Sequence, residues 1–475
     1  MDMPPRDAAP DAATAVGPTR ALAEFASGLD LQAVDDFARH AARRHLIDTL
    51  GAMVAGAGQD ATASVLRAFA SAGVASGAVP VPGLSGRHDL LSAAYLGGTS
   101  GHGLELDDGY RAGSMHPGTV VVPAALAVAA QRRASGAALL RAVVAGYEVA
   151  CRVAAASHPR ARWRGFHNTG TAGVFAAAAA AGALLGFDAE RMENAFGVAA
   201  SSASGLFTFL AGGDVKRVHP GHAAREGVLA ALLTEAGLPG PRGALEFKEG
   251  YFNAYAGGDT GAADYSRLDV LAAGDNHPRS RFAVANCYMK PHACCRHIHA
   301  AIDAVLDIMG AEDVEPGRVE AVEVGTYAVA ASHAAVGWSE MTTAQMSFPF
   351  VIAVALGRGR VGLSDFGEAE RTDPALLDLA RRVRVEVDAE CEADYPRRRG
   401  ARVALLARDG RRFDRYVPEP YGAASNPLTD AALERKFLDL AAPRLGEARA
   451  RGALAMLWAV DAAPDAAPLA EALAL

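Results

Sequence analysis

The chain has 475 residues, of which 51% are hydrophobic and 21% charged, and its formal net charge is −8. This is the composition of a folded protein of two or three domains, not of a disordered one. The acidic balance and the lack of a long basic run exclude nucleic acid as the main partner, so an anionic substrate would need a local cluster of positive groups.

Residues 1–19, "MDMPPRDAAPDAATAVGPT", read as a disordered tail. No apolar stretch follows a basic start, so they are not a secretory signal. No window reaches the ~18 strongly apolar residues of a membrane helix, which predicts no membrane partner. Helical periodicity then runs from about 20 to about 265. It marks helices at 31–57, at 135–157 behind a serine cap, at 171–186 in a run of Ala and Gly, and at 222–237, closed by Gly237. Alternation of apolar and polar residues marks strands at 319–327, 383–390, 401–407 and 411–417. The last two flank Asp409-Gly410, a hairpin signal. Helices are predicted between them at 297–310, 341–357 and 373–382, and again from 429.

The expected fold is mainly α with an α+β second domain. A tail (1–19) precedes an all-helical domain (20–269), an inserted α+β lid domain (270–420) follows, and C-terminal helices (421–475) return to the first domain. The cleft between the two is the default ligand site. Five cysteines, an odd number in a long chain, argue against a disulfide framework and for a reducing cytoplasm. Adjacent Cys294 and Cys295, with no second pair at finger-like spacing, read as core residues.

Ionisable groups gather in four Gly- or Pro-marked loops, each before a small-residue helix. "GHGLELDDGYRAGSMHPG" (101–118) holds His102, Glu105, Asp107, Asp108 and His116. "RGFHNTGTAG" (164–173) holds His167. "GGDVKRVHPGHAAREG" (212–227) places Lys216 and His219 ahead of a helix start. "NCYMKPHACCRHIHAAIDA" (286–304) holds Lys290, Arg296, His297 and His299. Each group also has an ordinary reading. Paired acids interact with helix ends, lone histidines are satisfied polar residues, and lysines and arginines are surface charges. A metal reading needs three or four converging ligands. Only Glu105, Asp107, Asp108 and His116 share a segment, and neither HExxH nor DxDxDG is present, so no metal is expected. No dinucleotide fingerprint, P-loop or nucleophile elbow appears, and no cofactor is expected.

Together these four motifs, in this order from about 20 to about 465, resemble the MmgE/PrpD family. The resemblance implies an all-helical domain with an α+β lid, a homodimer, and no iron–sulfur cluster. Its members include 2-methylcitrate dehydratases, cis-aconitate decarboxylases and iminodisuccinate epimerases, which act on small di- or tricarboxylates. By the same resemblance His116, His167, Lys216, Lys290 and Tyr327 match catalytic positions. Glu105, Asp107, Asp108, Arg296 and His299 match the substrate-facing wall. Three departures stand out. Glu105 replaces an aspartate, Gly109 a threonine, and Cys295 the histidine of the decarboxylase branch. They lower the decarboxylase reading and leave the substrate open, and the leading reading is a 2-methylcitrate-dehydratase-like hydro-lyase that abstracts a proton next to a carboxylate. An epimerase or isomerase of a carboxylate is the alternative, and a non-catalytic carboxylate-binding scaffold is the reading from another class.

Overall fold

The computed structural model describes residues 17–74, 76–258, 263–269, 277–312 and 314–475. Residues 1–16 of the expected tail lie outside them, and a helix at Pro18–Gly28 begins at its last two residues.

The first body is built from helices whose starts are written in short polar side chains. Helix α1 (Asp36–Gly56) begins where the Asp35 carboxylate accepts from the Ala38 N–H at 2.8 Å. In α2 (Leu90–Gly101) Asp89 accepts from Leu91 and Ser92, both at 3.1 Å. Helix α3 (Gly118–Arg132) follows the acidic loop, and α4 (Gly136–Ser157) starts at the predicted Ser135 cap. Such caps satisfy N–H groups that have no partner inside the helix. The Ala/Gly run forms α5 (Gly173–Leu184), nearly all of it buried, so its neighbours lie close around it. Helix α6 (Val215–Glu235) starts seven residues earlier than its sequence predicts and carries Pro220 inside it. The "HPG" that reads as a loop is helical because Pro220 and Gly221 are buried against α2 and His219 against His167. Lys216 and His219 therefore sit on the helix, not ahead of it.

The second body holds α7 (His299–Ala311), α8 (Phe348–Arg358) and a four-stranded mixed sheet. Strand β1 (Val319–Thr326) pairs in parallel with β2 (Val383–Val387) and antiparallel with β3 (Ala401–Ala407), which pairs antiparallel with β4 (Arg412–Val417). The β3–β4 hairpin turns at Asp409-Gly410 as its sequence predicts. The chain then returns through α9 (Asp430–Leu445), which packs on α1.

Two hydrophobic cores result. Residues Phe282–Met289 still pack into the helical core, whereas Ala293 onwards builds the second. Leu104 and Leu106, from the acidic loop after α2, are buried in the second core. That loop is thus where the two bodies meet. No helix among the described residues is long and apolar enough to cross a membrane.

Candidate active site

The loop from His102 to Pro117 bends through two left-handed residues, Glu105 (φ 55°) and Ser114 (φ 47°). Non-glycine residues avoid that region, so the surroundings must hold them there. Asp108 is one anchor. Its buried carboxylate accepts from the Gly118 N–H (2.9 Å) and the Tyr147 hydroxyl (2.7 Å), with His45 Nδ1 at 2.9 Å. Gly109 is another, pairing backbone to backbone with Tyr288 at 3.0 and 2.8 Å. A Cβ at Gly109 would stand 2.3 Å from the Tyr288 hydroxyl. The phenol thus fills the space a side chain at 109 would occupy, which explains glycine where the resemblance leads one to expect threonine.

With the loop fixed, five of the expected residues converge. Glu105 pairs through one oxygen with the Lys216 ammonium and through the other with Lys290 at 3.2 Å. Lys290 also lies 3.6 Å from Asp107 Oδ1. The other oxygen of Asp107 receives two imidazoles, His102 Nδ1 at 2.8 Å and His116 Nδ1 at 2.7 Å. Burial opposes ionisation of Glu105, yet Lys216 and Lys290 hold its carboxyl well below the usual range. Burial likewise opposes Asp107, and His116, His102 and Lys290 more than offset it. Burial disfavours the Lys290 ammonium, but Glu105 and Asp107 push its pKa up, so it stays charged.

The histidines divide by environment. Burial pulls His102 down to about 4, against the pull of Asp107, and leaves it neutral at pH 7. His167 is pushed well down by burial and by His102 and His116. Its Nδ1 lies 3.0 Å from His219 Nδ1, and its ring packs against both Phe207 and Phe209. The His116 N–H donates to Thr169 Oγ1 at 3.2 Å, tying this segment to the acidic loop. His116 Nδ1 also meets the Asp108 carbonyl at 2.7 Å. Nδ1 thus faces two acceptors, and Nε2 is the ring nitrogen left out of both contacts.

His102, Asp107 and His116 offer ligand atoms within 4.8 Å of one another and could hold a cation. Both imidazole nitrogens, however, point at one carboxylate oxygen, and the Lys290 charge lies against the other. A cation there would be repelled by that ammonium, and this donor set suits proton transfer better than ligation.

Of the other expected residues, His167 adjoins the cluster, its ring stacked on that of His102 at 6.1 Å, whereas Tyr327, Arg296, His299 and the Asp108 carboxylate find their partners elsewhere. Tyr327 is buried just after β1, with its hydroxyl 2.6 Å from His297 Nδ1 and its ring stacked on Tyr395. Arg296 donates to the Tyr421 and Pro420 carbonyls at 2.8 and 3.2 Å, and meets His299 Nδ1 at 3.0 Å. The Asp108 carboxylate faces the helical core.

Residues 20–263 match the model of the MmgE/PrpD N-terminal domain and 292–462 that of the MmgE/PrpD C-terminal domain. The chain belongs to the MmgE/PrpD family. It is 28% identical over 415 residues to a cis-aconitate decarboxylase of Aspergillus terreus, with 84% of each chain covered. It is 26% identical over 438 residues to the cis-aconitate decarboxylase of Homo sapiens, covering 88% of this chain and 86% of that one. For the Mus musculus cis-aconitate decarboxylase the identity is 24% over 435 residues, with the same coverages.

In this MmgE/PrpD chain several neighbours of the cluster escaped sequence reasoning as site residues. His102 was visible in the motif, but its sharing of Asp107 with His116 was not. His45, Tyr147 and Tyr288 come from distant segments that no local pattern links to the loop. Cys295, expected as core, is buried but has His333 Nε2 at 3.7 Å from its sulfur. Burial raises its thiol pKa, and His333 outweighs that and lowers it.

Proposed function

We propose that the protein is a lyase acting on a small di- or tricarboxylate by proton transfer at the carbon next to a carboxylate. The observation that carries this reading is the convergence of two lysines and an Asp107-supported His116 on one loop between the two bodies. Substrate carboxylates compete with Glu105 for the Lys216 and Lys290 ammonium groups. His116 Nε2 takes the proton from carbon, and Lys290 stabilises the enediolate charge that develops. In a dehydration the C–O bond next to that carbanion then breaks. The departing hydroxide takes a proton, for which the Lys216 ammonium is the donor, and leaves as water. His167, neutral through burial, serves as a hydrogen-bonding wall and not as the acid.

Dehydration of a hydroxy-tricarboxylate is the first reading, because Gly109 and Cys295 depart from the decarboxylase pattern. The names of the relatives favour a second, in which an unsaturated tricarboxylate loses CO2 and the resulting carbanion is protonated. Proton NMR in D2O separates them. With 2-methylcitrate, loss of the C–H beside the methyl, so that the methyl doublet becomes a singlet on a new C=C, supports the first. With cis-aconitate, release of CO2 and deuterium in the product support the second. Exchange of substrate protons for deuterium without elimination or CO2 release would indicate an epimerase. No change in any member of a di- and tricarboxylate panel sinks the catalytic reading.

A further inference from the structure

A second feature stands independently of the proposed reaction. A cavity of about 1070 Å³ lies beside the acidic loop, and none of the clustered side chains, Glu105, Asp107, His116, Lys216 or Lys290, lines it. It is large enough for a small-molecule ligand. Seven arginines line it, against two carboxylates, Asp264 and Glu419. Glu419 is taken by Arg111 at 3.0 Å and Asp264 by Arg267 at 3.2 Å, while Arg397 turns to Asp394 outside the cavity. Arg160, Arg279, Arg296 and Arg399 have no carboxylate partner among the described residues. Arg296 spends its donors on carbonyl oxygens and His299 and leans over the Tyr288 ring at 5.0 Å. The Nε of Arg399 is buried without a hydrogen-bond partner.

Several unneutralised guanidinium groups around one cavity repel one another, and a buried donor left unpaired costs free energy. A structure keeps such an arrangement at a cost unless an anion relieves it. The planar fork of a guanidinium matches the oxygens of a carboxylate or a phosphate. We propose that this cavity is a second binding site, separate from the lysine cluster, for a small polyanion carrying two or more carboxylate or phosphate groups. Tyr288 is the partition, since its backbone pairs with Gly109 of the loop while its ring lines the cavity.

Calorimetric titration of the full chain at low ionic strength tests this, with pyrophosphate and citrate as separate probes, since salt screens such contacts. Saturable binding of at least one probe is expected, tighter for pyrophosphate if phosphate is recognised and for citrate if carboxylate is. Arg399→Gln should weaken it about tenfold or more. The double variant Arg160→Gln/Arg279→Gln changes only exposed side chains, so it keeps the test open should Arg399→Gln fold poorly, and it should weaken binding comparably. Lys216→Ala should leave the affinity for pyrophosphate within about twofold, since additivity holds for separate sites. The absence of saturable binding up to about 5 mM of either probe overturns the proposal. So does binding that ignores the arginine substitutions, or pyrophosphate binding that vanishes in Lys216→Ala. Neither result bears on whether His116 transfers a proton.

Discussion

Glu105 is the residue around which the site is balanced. It sits in a left-handed conformation and spans two ammonium groups, and in the proposed mechanism a substrate carboxylate takes the place of its own. His116 is the base of the proposed mechanism. In His116→Gln the side chain can still hydrogen-bond but not accept a proton from carbon. The expected result is a fall in kcat of about 10²- to 10⁴-fold. KM should stay within a few-fold, because the proposed mechanism assigns substrate binding to the lysines and not to His116. Steady-state kinetics on the substrate found by NMR checks this, and an unchanged kcat removes His116 from the mechanism.

Acid should act on the buried histidines first. His102 and His219 titrate at about 4 in the folded chain, against about 6.5 when unfolded. The unfolded chain therefore binds protons that the native one refuses. Stability is complete above about pH 6.5 and is lost as pH falls towards 4. Glu105 and Asp107, held below the usual range by their cationic neighbours, add their loss only at still lower pH. For His102 the cost is on the order of 2–3 kcal/mol. Thermal unfolding at pH 7, 6 and 5 should show the decline, and His219→Gln should flatten part of it. A stability independent of pH over that range contradicts the buried, neutral state of these rings.

At the scale of elements, the position of Lys216 depends on how closely α6 approaches α2. A Cβ on Gly221 would lie 2.4 Å from the Tyr95 carbonyl oxygen and 2.5 Å from Thr99 Oγ1. Gly221→Ala must push the start of α6 outward, and Lys216 with it. The expected cost is about 1–3 kcal/mol of stability, together with weaker substrate binding. Gly310→Ala in α7, where nothing lies within 4 Å of the new methyl, is the control and should be neutral or slightly stabilising. Denaturant titration of both variants measures the difference, and equal behaviour refutes the packing argument. The same helix shows where sequence reasoning stops. Its apolar spacing is legible from Ala223 onwards, but the first two turns contain Pro and Gly and are helical because tertiary burial overrides local preference. Strands β1 and β2 were legible because apolar residues recur at alternate positions, and the β3–β4 hairpin because Asp409-Gly410 suits its turn. Glu105, Asp107, His116, Lys216 and Lys290 were legible as a set through their motifs. The pairing of Asp108 with His45 and Tyr147, and of Gly109 with Tyr288, was not, because no local pattern encodes contacts between distant segments.

At the scale of the molecule, one side chain fastens the acidic loop to the second body. Gln345, fully buried, donates from Nε2 to the Leu104 carbonyl at 3.0 Å and to the Ala293 carbonyl at 2.8 Å. Leu104 lies one residue before Glu105, and Ala293 three residues after Lys290. The amide therefore sets the spacing of an ion pair that forms where the two bodies meet. Gln345→Leu keeps most of the volume but removes both donors and leaves two buried carbonyls unpaired. Each such loss costs roughly 1–3 kcal/mol, part of which is recovered because the Gln345 Oε1, itself buried without a partner, is also removed. A net loss of about 2 kcal/mol is expected, with a fall in kcat larger than the change in KM, since the loop carries Asp107 and His116 as well as Glu105. Unfolding and kinetics on the same preparation decide the point. A variant that loses stability but keeps full kcat makes Gln345 a brace for the second core alone. One that loses both shows that the geometry of the site depends on how the two bodies are held together.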